Sequence, residues 1–142
     1  MMYPLLSERL LTLSSGIFAG FGVTLHLVCV PAIRSSANPL SVLMTTFNRG
    51  KKTAFTCMAV STLASVNCYL NSNDKRFLYV SGLMFAGIFA FTEIVMKPTL
   101  DQLYRSSNDD KQVPQLIEKW AQLQYVKTAL IVSAFILNLY LI

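Results

Sequence analysis

Four long apolar runs, separated by short polar stretches, dominate this 142-residue chain. A bilayer core about 30 Å thick is crossed by about 20 helical residues, each rising about 1.5 Å. The runs have about this length. The pattern therefore predicts a single membrane domain over residues 1–142, with spans at about residues 10–33, 53–70, 77–96 and 126–142.

Residues 113–125 show a different pattern, in which apolar and charged positions are mixed. Val113, Ile117 and Trp120 recur at helical spacing, which predicts an amphipathic helix leading into the last span. Asp109 or Asp110 would cap this helix. The predicted fold class is an all-α integral membrane four-helix bundle, with the last helix extended into the cytosolic aqueous layer.

Composition supports the membrane class and argues against other classes. The chain is 54% apolar and 13% charged, whereas soluble domains have about 25% charged residues. The net charge of +5 comes from residues in short loops, so we expect no nucleic-acid partner. The three cysteines lie in apolar runs without metal-site spacing, and we expect no metal site.

Basic residues are distributed unevenly between the two sides of the predicted membrane domain. The first and third loops contain nine Lys and Arg residues, and the amino-terminal segment and second loop contain three. The positive-inside rule places loops one and three in the cytosol and both termini on the luminal or outer side. We expect the endoplasmic reticulum or another endomembrane, in preference to the mitochondrial inner membrane.

Two ionisable residues lie at predicted membrane depth, where burial of a charge costs several kcal/mol. His26 and Glu93 fall in the same half of the bilayer at depths that differ by about 6 Å. A contact between them would suit proton transfer, so both are candidate catalytic residues. Alternatively, Glu93 extends toward Lys97 and His26 makes only a structural hydrogen bond.

Further polar residues cluster near the predicted cytosolic edge. Trp120, Gln124 and Lys127 share one helical face, and Thr99 and Arg49 lie near the ends of neighbouring spans. These five residues are candidates for binding a ligand at one end of the bundle. An interfacial belt of aromatic and basic side chains is the alternative.

Small residues predict where helices approach one another closely. Gly16 and Gly20 form a GxxxG pattern in the first span, which lets two membrane helices pack with little space between their backbones.

Several of these segments resemble the anthrone-oxygenase-like integral membrane family. The resemblance rests on Phe91-Thr92 followed by Met96 and Pro98-Thr99, on Trp120-x-x-Leu123-Gln124-x-x-Lys127, on Gly16-x-x-x-Gly20 with Pro31-Ala32, and on Phe47-x-x-Gly50. It implies a four-helix membrane bundle and cofactor-independent conversion of anthrones to anthraquinones.

Three positions depart from the family pattern. Leu100 replaces an Asn, Gln124 an Asn or His, and Lys127 an Arg. In the oxygenase interpretation His26 or Glu93 is the base, and Lys127, Gln124 and Trp120 shape the pocket.

Three functions stay open at this point. The favoured one is a helical bundle that binds a lipid, a hydrophobic ligand or a membrane-protein partner, including a second copy of the chain. The alternatives are a cofactor-independent oxygenase of anthrone-like phenolic substrates and a small transporter.

Overall fold

The computed structural model describes residues 4–107 and 111–142, and every regular element in this part is helical. The helical residues form the stretches 4–35, 39–72, 76–105 and 113–141. Their segments are α1 (Pro4–Thr24), a π-helical turn (Leu25–Cys29), α2 (Val30–Ser35), α3 (Pro39–Ser72), α4 (Arg76–Gly82), a π-helical turn (Leu83–Gly87), α5 (Ile88–Phe91), a π-helical turn (Thr92–Met96), α6 (Lys97–Arg105) and α7 (Val113–Leu141).

Three of these helices are long and apolar enough to cross a membrane: Leu5–Ser35, Pro39–Ser72 and Val113–Leu141. The predicted all-helical class is thus confirmed, and the chain has three helices that could span a membrane. The span predicted over residues 77–96 and the count of four stay predictions. Asp109 and Asp110, predicted to cap the last helix, lie outside the described residues.

A short turn joins α3 to α4. Asn73 adopts a left-handed conformation with φ 54°, and its N–H donates to the Tyr69 carbonyl over 2.7 Å, which closes α3. The Asp74 carboxylate then accepts the backbone N–H of Arg76 over 3.0 Å and pairs with its guanidinium. One side chain therefore positions the start of α4.

Close backbone packing between α1 and α7 depends on two glycines. A Cβ on Gly16 would lie 3.2 Å from Phe135, and one on Gly22 would lie 3.2 Å from the Thr128 hydroxyl oxygen. That hydroxyl also donates to the Gly22 carbonyl over 3.2 Å. Gly20 has no described atom within 4 Å of the same position, so this glycine of the GxxxG pattern makes no helix contact there.

The buried apolar residues form three clusters along the helices. The first contains Leu43, Met96 and Trp120, the second contains Phe18, Met58 and Ile88, and the third lies around Leu11 and Phe77. A bidentate pair of Arg34 with Glu118, at 2.7 and 2.9 Å, joins α2 to α7 beside the first cluster.

Polar side chains are buried around the third cluster. Ser14 and Ser61 share a hydrogen bond of 2.7 Å between α1 and α3, and Asn67 donates to Ser7. Asn138 is 0% exposed, and its amide has no partner among the residues described. Hydrogen bonds between membrane helices, such as those of Ser14 with Ser61 and of Asn67 with Ser7, contribute about 0.6 kcal/mol on average.

The two glycines predict a contrast in stability. We expect Gly22→Leu to lower the free energy of unfolding by about 1–3 kcal/mol, because its side chain would displace Thr128. Gly20→Leu should change it by less than about 1 kcal/mol, since leucine is the better helix former and meets open space. Equilibrium unfolding in mixed micelles measures both, and equal losses would contradict the packing assignment.

The Asp74 turn predicts a pH dependence. Hydrogen bonds from Arg76 lower the pKa of Asp74, so the carboxylate stabilises the fold above the ordinary aspartate range and loses this effect as pH falls through the lowered value. Amide exchange at Arg76, corrected for its intrinsic rate, should accelerate only below that range. Asp74→Asn should remove the pH dependence. Acceleration at the ordinary aspartate pKa would contradict the assignment.

Candidate functional site

A cavity of about 240 Å³ lies between the first and second apolar clusters. Residues from both clusters form its wall, and it draws on all four helical stretches. Most of the lining is apolar, which suits a hydrophobic ligand. Its polar lining residues are Thr46, Lys51, Thr92, Glu93, Gln124 and Lys127.

Two π-helical turns border this cavity. Leu25 begins the turn in the first stretch, and Thr92, Glu93 and Met96 belong to the turn that precedes α6. A π turn adds a residue to the helical turn and rotates the side chains that follow, and it occurs often at functional sites. The turn Thr92–Met96 thus contributes a threonine and a glutamate to the lining of a mainly apolar space, and the turn Leu25–Cys29 contributes a leucine.

The charged groups of the site are not all paired with one another. Glu93 pairs with Lys97 on its own stretch, with 3.4 Å between Nζ and Oε2. Lys51 and Lys127 also line the cavity, and neither has an ion-pair partner among the described residues. Two lysine side chains without a described ion-pair partner therefore belong to the lining of this mainly apolar space.

Trp120 and Gln124 place hydrogen-bonding groups in the same wall. They lie one turn apart on α7, and both are buried, with Trp120 only 3% exposed. The indole N–H of Trp120 is buried and finds no acceptor in the described part of the chain. Because an unpaired buried donor costs about 1–3 kcal/mol, a ligand acceptor at this position would be stabilising.

The structure brings together four of the seven candidate residues: Glu93, Trp120, Gln124 and Lys127 all line the cavity. His26 is not among the lining residues. Its ring lies 4.9 Å from that of Tyr125, centroid to centroid, and its Nδ1 has no described partner. Thr99 is buried near the lining residue Leu100, with its hydroxyl unpaired among the described residues, and Arg49 is exposed on α3.

An aromatic wall was missing from the sequence-based set. Phe18, Phe21, Phe47, Phe55 and Phe89 line the cavity. Of these only Phe47 belonged to a sequence motif, because phenylalanine is common throughout membrane spans. The neighbouring Gly50 is more specific, since a Cβ there would lie 2.6 Å from the tip of the Phe21 ring. Gly50 thus lets this ring rest against α3.

Comparison with known proteins agrees with this arrangement. The family described as anthrone oxygenase matches residues 43–137, about two thirds of the chain. This chain belongs to the anthrone oxygenase family. The match includes α7 as far as residue 137 and most of α3, so every polar lining residue of the cavity lies within the family segment.

Beyond the family, no curated protein and no solved structure matches the chain. The family match confirms the resemblance that the sequence motifs indicated.

Gly50→Ala tests the aromatic wall. The added methyl group must move the Phe21 ring, and the adjoining cavity can receive it. We expect little loss of stability, about 1 kcal/mol or less, but several-fold weaker binding of a flat aromatic probe such as dihydroxyanthraquinone. Quenching of Trp120 fluorescence would measure the affinity. Unchanged affinity would contradict the assignment that Gly50 positions the Phe21 ring in the cavity wall. Gly82→Ala is the matched control, because its added methyl group meets no described atom within 4 Å.

Proposed function

We propose that the chain is a four-span helical membrane protein that binds a hydrophobic aromatic small molecule with a weakly acidic hydroxyl group. The observation behind this proposal is the cavity itself, in which Lys127, Gln124 and Trp120 lie along one face of α7 opposite phenylalanine rings. The rings would enclose a flat ligand, and the cation and the two donors would bind its oxygen atoms.

We also propose the membrane arrangement that this function requires. Residues 77–96, within the helical stretch 76–105, form the remaining span, loops one and three face the cytosol, and the membrane is the endoplasmic reticulum or another endomembrane. The uneven distribution of Lys and Arg supports this orientation. The cavity then lies nearer the cytosolic surface.

Oxygenation of the bound ligand is the second candidate function, and family membership favours it. A base removes a proton from the CH₂ group of an anthrone, and the carbanion reacts with dioxygen to give a hydroperoxide. Loss of water then leaves the ketone, so one dioxygen is consumed and one water released for each CH₂ converted to C=O. Dioxygen is the oxidant in this sequence.

Glu93 is the stronger candidate for the base in this reaction. Its carboxylate is at the cavity wall, whereas His26 contacts Tyr125 and is not a lining residue. Lys127 and Gln124 would stabilise the oxygen on which the negative charge of the carbanion is delocalised. We do not propose transport, because the second apolar cluster separates the cavity from the other end of the helices.

Substitution of Lys127 tests ligand binding. We expect Lys127→Met to weaken binding of dihydroxyanthraquinone by about tenfold or more, since a hydrogen bond to a charged group contributes about 1.5–3 kcal/mol. Lys127→Arg should retain most of the affinity. Trp120 quenching reports both values, and Lys119→Met, an exposed change on the same helix, is the control. Equal affinities for all variants would refute the proposal.

Substitution of Glu93 separates catalysis from binding. With dihydroxyanthrone as substrate, Glu93→Gln should lower dioxygen uptake at least a hundredfold, in line with the effect of removing a general base, and leave anthraquinone binding nearly unchanged. His26→Ala should retain uptake. If the wild-type protein binds the quinone but consumes no dioxygen, binding alone is its function. If only His26→Ala abolishes uptake, Glu93 is not the base.

A further inference from the structure

The cavity wall includes two phenylalanine side chains that are also accessible from outside the molecule. Phe55 on α3 is 59% exposed and Phe89 on α5 is 41% exposed, yet both line the cavity. A residue that belongs to both surfaces lies at an opening. These two rings therefore border a passage between the cavity and the surroundings of the helices.

Helix packing explains why the passage exists at this position. The backbone of α3 runs close to α4 and to the π-helical turn Leu83–Gly87. Beyond that turn α3 makes few close backbone approaches to α5 or α6. The backbones of the two stretches thus diverge beside the cavity.

The position of the passage along the helices indicates which solvent it meets. Phe55 follows Lys51 by one helical turn, about 6 Å, and Phe89 precedes Lys97 by about 12 Å. Lysines beside a membrane span lie at the headgroup level. The two rings are therefore on the hydrocarbon side of the headgroups, and Lys51 and Glu93, both lining residues, lie at the polar end of the passage.

We propose that the cavity opens sideways into the bilayer between Phe55 and Phe89, and that its ligand is a lipid-dissolved amphipathic molecule that enters from the membrane. This inference rests on the proposed function and specifies the ligand class further. The apolar body passes the two rings, while the acidic hydroxyl group stays at headgroup level near Lys51 until it reaches Lys127. When no ligand is bound, a lipid acyl chain occupies the passage.

The chain contains its own reporter for this route. Trp120 is its one tryptophan, and it lies in the cavity wall, 3% exposed. Fluorescence quenching by a bromine atom requires close approach, so brominated acyl chains that enter the passage should quench Trp120. The protein needs no added fluorophore for this measurement.

The first experiment tests the passage without any ligand. The full chain is reconstituted in vesicles of phosphatidylcholine with brominated or ordinary acyl chains. Ala54 lines the cavity next to Phe55. We expect Ala54→Leu, which adds bulk at this position, to reduce bromine quenching, and Phe55→Ala, which widens the passage, to increase it. Ala59→Leu, the same change on α3 at a residue outside the lining, should have no effect. Equal quenching in all four proteins would overturn the proposal.

The second experiment uses dihydroxyanthraquinone and varies the amount of lipid at constant protein. If the ligand enters from the bilayer, the binding rate follows the ligand-to-lipid ratio, and Phe55→Ala accelerates it several-fold. A rate that follows the free aqueous concentration, unaltered by Phe55→Ala, would overturn the inference. Bromine quenching that responds to the variants, with no binding of the quinone, would instead refute the proposed function and leave the passage intact.

Discussion

Backbone hydrogen bonding in hydrocarbon is the constraint on which this structure depends. A lipid-facing peptide group without a partner costs several kcal/mol, so the chain crosses the membrane as helices. The helices still depart from α geometry without losing their bonds, because the N–H of Val30 donates to Leu25 and that of Lys97 to Thr92, each five residues back. These π-helical turns make the helices irregular beside the cavity.

Close helix packing and a cavity lie next to each other along the same helices. At Gly22 the backbone of α1 touches Thr128 of α7, while a few residues further along, Leu25 borders a cavity of about 240 Å³. A closed and empty cavity of this size would cost roughly 6 kcal/mol. An open one avoids that cost, since lipid or ligand fills it, and the close contact of α1 with α7 keeps the wall in place.

The sequence predicted the features that depend on local composition. Apolar runs predicted the helical class, ordered motifs predicted the family, and the i, i+4, i+7 spacing placed Trp120, Gln124 and Lys127 on one face of a regular helix. Depth alone also placed His26 near Glu93. The direction in which each side chain points around the helix axis could not be predicted from the sequence. The π turns at Leu25–Cys29 and Thr92–Met96 rotate the side chains that follow them, and no residue type marks such a turn. The aromatic wall was missed for a different reason, because phenylalanine is common throughout membrane spans.

The first helical stretch contributes lining residues to the cavity although it lies outside the segment that matches the family. Residues 43–137 match the family, but Phe18, Phe21 and Leu25 of the first helical stretch also line the cavity. A chain cut back to the matched segment would keep Glu93, Gln124 and Lys127 and lose the enclosure, so that its cavity would become an open trough facing lipid. Changes in the first stretch would then alter the shape of the cavity while its polar lining residues stayed the same.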